Sequence, residues 1–356
     1  MMSIRDKFFN AVRRLDDSYI PFEFGLCPSL KEEFKRRTGR EDYEEYFDFP
    51  CRMVYAEETC DQSRYVPYYD SLENIKIGEW GVGRKSGSVA HFTEMQHPMK
   101  DFETIEEFEK YPYPDPDVDF DWASVNSKVA SIKDRGLIAV AGMAMTIFEI
   151  AWYLRGMDNF MVDMAINPEL ANYHLDRITA IRCVMAEKFA AAGADVLHLG
   201  DDVSTQLSML MNPDTWRELI KPRLAKVIQS AKAVKPDIII FYHGDGNLQK
   251  IIPDLIEVGV EILNPIQPEC MDPVEIKKKY GDRLSFCGTI GTQTTLPFGT
   301  AEDVRVICEK MIEEVGRGGG LILAPTHMVE PEVPWENIQA FIDAVNKYNN
   351  KSNDVR

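Results

Sequence analysis

From residue 136 onward, short β-branched runs alternate with longer amphipathic stretches. The runs are GLIAVAG (136–142), ADVLHLGDD (194–202), DIIIFYHGD (237–245), VEILNPIQ (260–267), LSFCGTIG (284–291) and GGLILAP (319–325). Six apolar runs of strand length, each followed by a helical period, predict a parallel sheet covered by helices. The helices are bounded by capping signals: Asn167 before Pro168, Asn212 before Pro213, Asp272 before Pro273, and Thr300 with Asp303 as a capping box. Gly193 and Gly281 stand where two helices should close on a left-handed residue. Two further segments, IPFEFG (20–25) and the stretch around Arg52 to Tyr55, bring the strand count to eight. Eight β/α units predict a (β/α)8 TIM barrel, because the alternative open dinucleotide-binding sheet lacks its G-x-G-x-x-G fingerprint.

The N-terminal part interrupts this rhythm. Residues 74–100 alternate polar and apolar positions about Gly81, Val82 and Gly83, which predicts an inserted β-hairpin. The Pro/Asp-rich stretch 111–121 follows, with three alternate prolines and then Asp117, Asp119 and Asp121. It reads as an extended, solvated connector. The tail 348–356 is polar and expected to fray. The whole chain, 1–356, thus reads as one domain.

Charge and cysteine content then narrow the partners. With 40 Lys+Arg against 58 Asp+Glu, a formal net charge of −18 disfavours nucleic acid and anionic membrane surfaces. No apolar run has the length of a membrane helix, and the N-terminus lacks a signal core, so a cytoplasmic protein is expected. The seven cysteines are scattered and never form a C-x-x-C pair, which argues for reduced, mostly buried fillers. A homodimer is the commonest assembly for a soluble enzyme of this kind.

In a barrel the catalytic groups sit at the C-terminal ends of the strands. This chain places Asp201 and Asp202, then His243 and Asp245, Gln267, Thr289 and His327 directly after strands, with Glu23 near the end of the first. Asp201 and Asp202 also suit a plain loop-capping role, and Gln267 and Thr289 are ambiguous. Two of the six histidines, His243 and His327, follow strands; His91, His97, His174 and His198 do not and are read as structural. His243, Asp245 and His327 together offer two imidazoles and a carboxylate, a set that suits zinc or another divalent metal with one position open. Cys270 and Cys287 lie near strand ends but lack a basic neighbour that would make a nucleophile.

Four blocks, GDDVSTQLSMLMNPDTWRELIKPR, FYHGDGNLQKIIPDLIEVGVEILNPIQPECMDP, YGDRLSFCGTIGTQTTLPFGTAEDV and GGLILAPTHMVEPEVPWENI, resemble the uroporphyrinogen decarboxylase superfamily. The likeness is to its branch of corrinoid-linked methyltransferases. True decarboxylases of the superfamily carry an arginine-rich MRQAGR signature near the N-terminus; here that region reads PFEFGLCPSLKEEFKRRTGR. The zinc methyltransferases carry H-x-C after one strand and a cysteine after the last, where this chain has His243, Gly244, Asp245 and His327. The resemblance therefore implies a metal-dependent methyltransferase whose two thiolates are replaced by harder ligands. Such a centre keeps more positive charge and is the stronger Lewis acid. That favours removal of a methyl group from a small O-methyl donor and its passage to a corrinoid protein, with Asp202, Gln267 or Glu23 orienting the donor or supplying a proton. The alternative is a cofactor-independent decarboxylase of a small acid, in which Asp202 and His243 handle protons.

Overall fold

The computed structural model describes residues 2–86 and 93–354. Its centre is a seven-stranded parallel sheet that curls around an interior cavity. In chain order the strands are β1 (Cys51–Val54), β2 (Ile75–Ile77), β3 (Gly83–Ser86), β4 (Thr93–Gln96), β5 (Ile138–Gly142), β6 (Val196–Gly200), β7 (Ile239–His243), β8 (Ile262–Asn264), β9 (Ser285–Cys287) and β10 (Leu321–Ile322). The large sheet runs β1-β5-β6-β7-β8-β9-β10, every neighbouring pair parallel. All six runs expected after residue 136 are present as strands.

The segment 20–25 departs from expectation. It forms no ladder and makes only isolated parallel bridges, Phe22 to Leu323 and Leu26 to Val329, beside β10. Its contact with the β1 side is made by side chains: Phe22 and Phe24 pack edge-on against Phe49 at 5.4 and 4.8 Å. The eighth position is thus filled by aromatic packing, with a seven-stranded sheet as the regular element.

Strand alternation sorts the side chains into two cores. Ile138, Val140, Val196, Ile239, Phe241, Ile262, Cys287, Ile322 and Ala324 point inward and pack on Phe8 and Val12 of the N-terminal helix Ile4–Val12. Their neighbours Ala139, Leu197, Leu199, Ile240, Tyr242, Leu263 and Phe286 point outward to the helices. The N-terminal helix closes the bottom of the sheet through Arg5, which pairs with both oxygens of buried Asp195 at 2.7 and 2.8 Å. Asp195 also accepts from Ala139 N at 3.0 Å.

Residues 74–100, expected as a hairpin, hold a small antiparallel sheet ordered β2-β3-β4, with Gly81 (φ +81°) in the turn that joins β2 to β3. His91 lies outside the described residues. The connector 111–121 has no helix or ladder, but it is not a solvated linker throughout. Tyr111 and Tyr113 are buried, and Asp119 accepts from Arg64 and from Asp115 N at 2.8 Å each. Asp121 caps the helix Trp122–Asp134.

The caps behave unevenly. Asn212, Asp272 and Thr300 cap as expected. Asn167 does not; its side chain turns back to Asp163. Gly193 is left-handed at φ +85°, whereas Gly281 stays right-handed at φ −69° because the chain continues its helical turn into Arg283 and Leu284, both bonded to Tyr280 O. The C-terminal helix Trp335–Asp354 runs through most of the tail expected to fray. Asn349 bonds Ile20 N and O, and Tyr348 bonds Asp17 O. Among the described residues no helix is long and apolar enough to cross a membrane. All seven cysteines are free; Cys27, Cys287 and Cys308 are buried and the other four half-buried.

Candidate metal centre

At the C-terminal end of the sheet, one ligand atom from each of Asp202, His243 and Asp245 falls within 4.8 Å of the others. β7 ends on His243, an inward-facing position, and the turn through Gly244 returns Asp245 toward it. Asp202, two residues beyond β6, accepts a hydrogen bond from Asp245 N at 2.7 Å. From His243 Nε2 the carboxylates of Asp202 and Asp245 lie at 3.8 and 4.0 Å.

The surroundings of this cluster fit a cation. Asn264, the last residue of β8, donates its amide to Cys287 O at 3.2 Å, which turns its Oδ1 toward His243 Nδ1 at 2.7 Å. Nδ1 must therefore carry the proton, leaving the Nε2 lone pair free, the arrangement in which a histidine ligand is held by an outer partner. Asp245 Oδ1 is buried without a hydrogen-bond partner among the described residues. Burial pushes the Asp245 carboxyl up, and Asp202 adds to the shift, while His243 and His327 oppose it. A buried carboxylate oxygen in that position costs free energy unless a positive group faces it.

The other expected residues divide. His327 follows β10 and lines the same cavity, but it is exposed and lies outside the three-residue cluster. Gln267 is buried and uses its Oε1 to hold Gly246 N, so it pins the turn that carries Asp245. Asp201 takes the plain capping role: fully buried, it accepts from Ile147 N and Glu149 N at 3.0 Å and starts the helix Phe148–Arg155. Thr289 is buried with its Oγ1 unpartnered among the described residues. Cys270 contacts Gln267 at 3.7 Å, and its thiol is pushed up by burial and by Glu269 and Asp245, which leaves it unactivated.

Three residues not expected to matter also belong to the site. Asn264 orients His243. Glu149 accepts from Asp202 N at 3.1 Å and from Tyr153 Oη at 2.9 Å, and its carboxyl is pushed up by burial and then by Asp201 and Asp202. His198, read as structural, faces inward from β6 with its Nε2 unpartnered among the described residues; burial, then His243, lowers it to about 3, so its ring is neutral.

Below the cluster lies a cavity of about 450 Å³, within the range of small-molecule sites. Its walls include Phe24, Phe49, Tyr55 and Phe241, and its polar groups include Glu23, His198, His243, Asn264 and His327. Glu23 sits against Cys287 Sγ at 3.7 Å, and burial, with help from Glu44, raises its carboxyl. Among the described residues, no Lys or Arg lines this cavity.

Residues 85–348 match the uroporphyrinogen decarboxylase (URO-D) family. The chain belongs to this family. Among its relatives, methylcobamide:CoM methyltransferase MtaA of Methanosarcina barkeri is 30% identical over 195 residues, covering 55% of this chain and 54% of that protein. Uroporphyrinogen decarboxylase of Chlorobium limicola is 25% identical over 216 residues, 59% of each chain. The matched stretch therefore spans little more than half the length of these relatives. A solved methyltransferase structure from Methanosarcina mazei superposes over 98% of this chain and 99% of its own, with a TM-score of 0.71 at 19% identity, which shows a shared fold. Methyltransferases, the branch that the sequence resembles, are thus among the family members it matches.

Proposed function

We propose that this protein moves a methyl group from a small O-methyl donor to a corrinoid carried by a separate protein, at a divalent metal held by Asp202, His243 and Asp245. The observation that carries this reading is the convergence of those three ligand atoms, with no thiolate among them and Asp245 Oδ1 buried and unpartnered among the described residues. Zinc, iron and manganese are all compatible with imidazole and carboxylate ligands. A bound cation of this kind supplies Lewis-acid polarisation of an ether oxygen. Relative to the set expected from sequence, Asp202 moves into the ligand group and His327 moves to the rim.

The chain's own groups divide the remaining work. Asn264 fixes the His243 ring, and Gln267 fixes the turn bearing Asp245. Glu23 orients the donor from within the cavity. His327, exposed at the rim, delivers the proton that the departing oxygen needs. The apolar wall keeps water from the reacting carbon. In balance, an ether R–O–CH3, Co(I) and a proton give R–OH and methyl-Co(III).

A metal-free decarboxylase acting through Asp202 and His243 is the competing reading, and relatives named as decarboxylases support it. A carboxylated substrate would, however, enter a cavity lined by no Lys or Arg among the described residues. The two readings separate by metal analysis of protein purified without chelator, combined with a spectroscopic assay for methyl-Co(III). About one equivalent of metal and donor-dependent methylation of Co(I) are expected. Less than about a tenth of an equivalent, with carbon dioxide released from a small acid, would favour the decarboxylase.

A further inference from the structure

We infer that Glu149 is a positioning residue for Asp202: its carboxyl group holds the Asp202 peptide N–H and so aims the Asp202 side chain at the metal cluster. The inference rests on the reading proposed above for Asp202 as a metal ligand; the clamp on the peptide is a property of the chain itself.

The need for a side chain arises from the way β5 and β6 end. Beyond Gly142 the chain continues alongside β6, with Met143 N donating to His198 O at 2.8 Å and Thr146 N to Gly200 O at 2.9 Å. Gly200 N is met in return by Thr146 Oγ1 at 2.9 Å. At Phe148 the chain turns into the helix Phe148–Arg155, whose carbonyls point along its own axis. From there the Glu149 carboxyl group supplies the acceptor that a strand carbonyl supplied before, and its Oε2 accepts from Asp202 N at 3.1 Å.

The clamp is reciprocal. Asp201 Oδ1 accepts from Ile147 N and Glu149 N at 3.0 Å each, so residue 201 holds the start of the helix, and the helix's first turn holds residue 202. Glu149 is buried and is fixed from its other oxygen by Tyr153 Oη, which donates to Oε1 at 2.9 Å from one helical turn on. Buried Arg182 braces the same loop, donating from Nε to Thr146 O at 3.1 Å and from Nη2 to Met145 O at 3.0 Å. With its peptide fixed, Asp202 accepts from Asp245 N at 2.7 Å and lies 3.8 Å from His243 Nε2. Two of the three cluster residues, Asp202 and Asp245, thus take their places from the Glu149 carboxyl group. Contacts of this kind, one step removed from the metal, typically change its affinity by about 10- to 100-fold.

The test is Co(II) binding by the wild-type protein and by Glu149→Leu, Glu149→Gln and Tyr153→Phe. Affinity is read by competition with a chromogenic chelator, and ligand geometry by the visible bands of bound Co(II). Glu149→Leu is expected to weaken binding by about 10- to 100-fold and to shift the bands, because Asp202 loses its aim. Glu149→Gln keeps an amide oxygen for Asp202 N, so its affinity should stay within about threefold and its bands unchanged. Tyr153→Phe removes one of the two bonds on the carboxyl group and should fall between them. Metal-free protein gives a second readout: hydrogen exchange at the Asp202 amide should quicken by about tenfold or more in Glu149→Leu and keep its wild-type rate in Glu149→Gln. Equal affinity and equal exchange in the wild type and Glu149→Leu overturn the inference. So does a Glu149→Gln variant that loses affinity as fully as Glu149→Leu, since charge and not the bond to Asp202 N would then be at work. A wild-type protein that binds no Co(II) contradicts the metal reading instead, and the exchange rates then decide by themselves whether Glu149 holds the Asp202 peptide.

Discussion

The two ends of the same curled sheet treat polar groups in opposite ways. At the bottom, Asp195 is buried and fully engaged: two bonds from Arg5, one from Ala139 N, and Lys133 at 3.8 Å. At the top, Asp245 Oδ1, His198 Nε2 and Thr289 Oγ1 are buried and have no partner among the described residues. The bottom is therefore built for stability, and the top leaves polar groups that a ligand can pair. The same contrast separates two histidines. His174, on the helix Pro168–Ala191, places Nδ1 at 2.9 Å from Tyr113 Oη and Nε2 at 3.0 Å from Ala151 O. His198 lacks a partner on Nε2 among the described residues and faces the cavity.

Substitutions at the two ends should therefore fail in different assays. The largest effect is expected at the top: His243→Ala should reduce methyl transfer by about a thousandfold or more, of the order of 4 kcal/mol in the barrier. Its urea midpoint should stay close to that of the metal-free wild type. Asp195→Ala should do the reverse, costing about 3 kcal/mol of stability in urea titration by leaving Arg5 and Ala139 N without their acceptor. Its turnover per folded molecule should be unchanged.

A third prediction concerns pH. Burial lowers His174 to about 4, below its ordinary unfolded value near 6.5. The unfolded chain thus takes up the proton first, so this residue's contribution is intact above pH 6.5 and is lost as pH falls toward 4. At 1.36 kcal/mol per unit the loss amounts to about 3 kcal/mol. His174→Gln should flatten the fall in stability between pH 7 and 4.5 relative to wild type; a parallel curve would show that the ring is not held neutral. The smallest effect is expected one shell out from the cluster. Asn264→Leu frees the His243 ring and should weaken metal affinity by about 10- to 100-fold, read by competition with a chromogenic chelator.

Much of the sheet was legible in the sequence because β-branched runs alternating with helical stretches are local properties; the Arg5–Asp195 pairing at the bottom was not, since the two residues are remote in sequence. The segment 20–25 was not, since its pairing depends on Phe49 and the edge of β10, both remote in sequence. His243 and Asp245 were legible as polar residues directly after a strand. Asp202 was picked out as a site residue, but its place beside His243 and Asp245 was not: adjacent aspartates point opposite ways, and which one meets Ile147 N and which one meets Asp245 N is decided only in three dimensions. His327 satisfied the strand-end rule, yet the chain beyond β10 leaves it at the rim. Glu149 and Asn264 gave no signal, one inside a helix and the other inside an apolar strand before Pro265.

The central claim is that the top of the sheet is a metal-dependent methyl-transfer site. It is tested most directly by mixing metal-loaded protein with a Co(I) corrinoid protein and a panel of small methyl ethers, and following the absorbance change to methyl-Co(III). The account predicts donor-dependent methylation that disappears when the metal is removed or His243 is replaced by alanine. Methylation at an unchanged rate in the metal-free protein and in His243→Ala would contradict it.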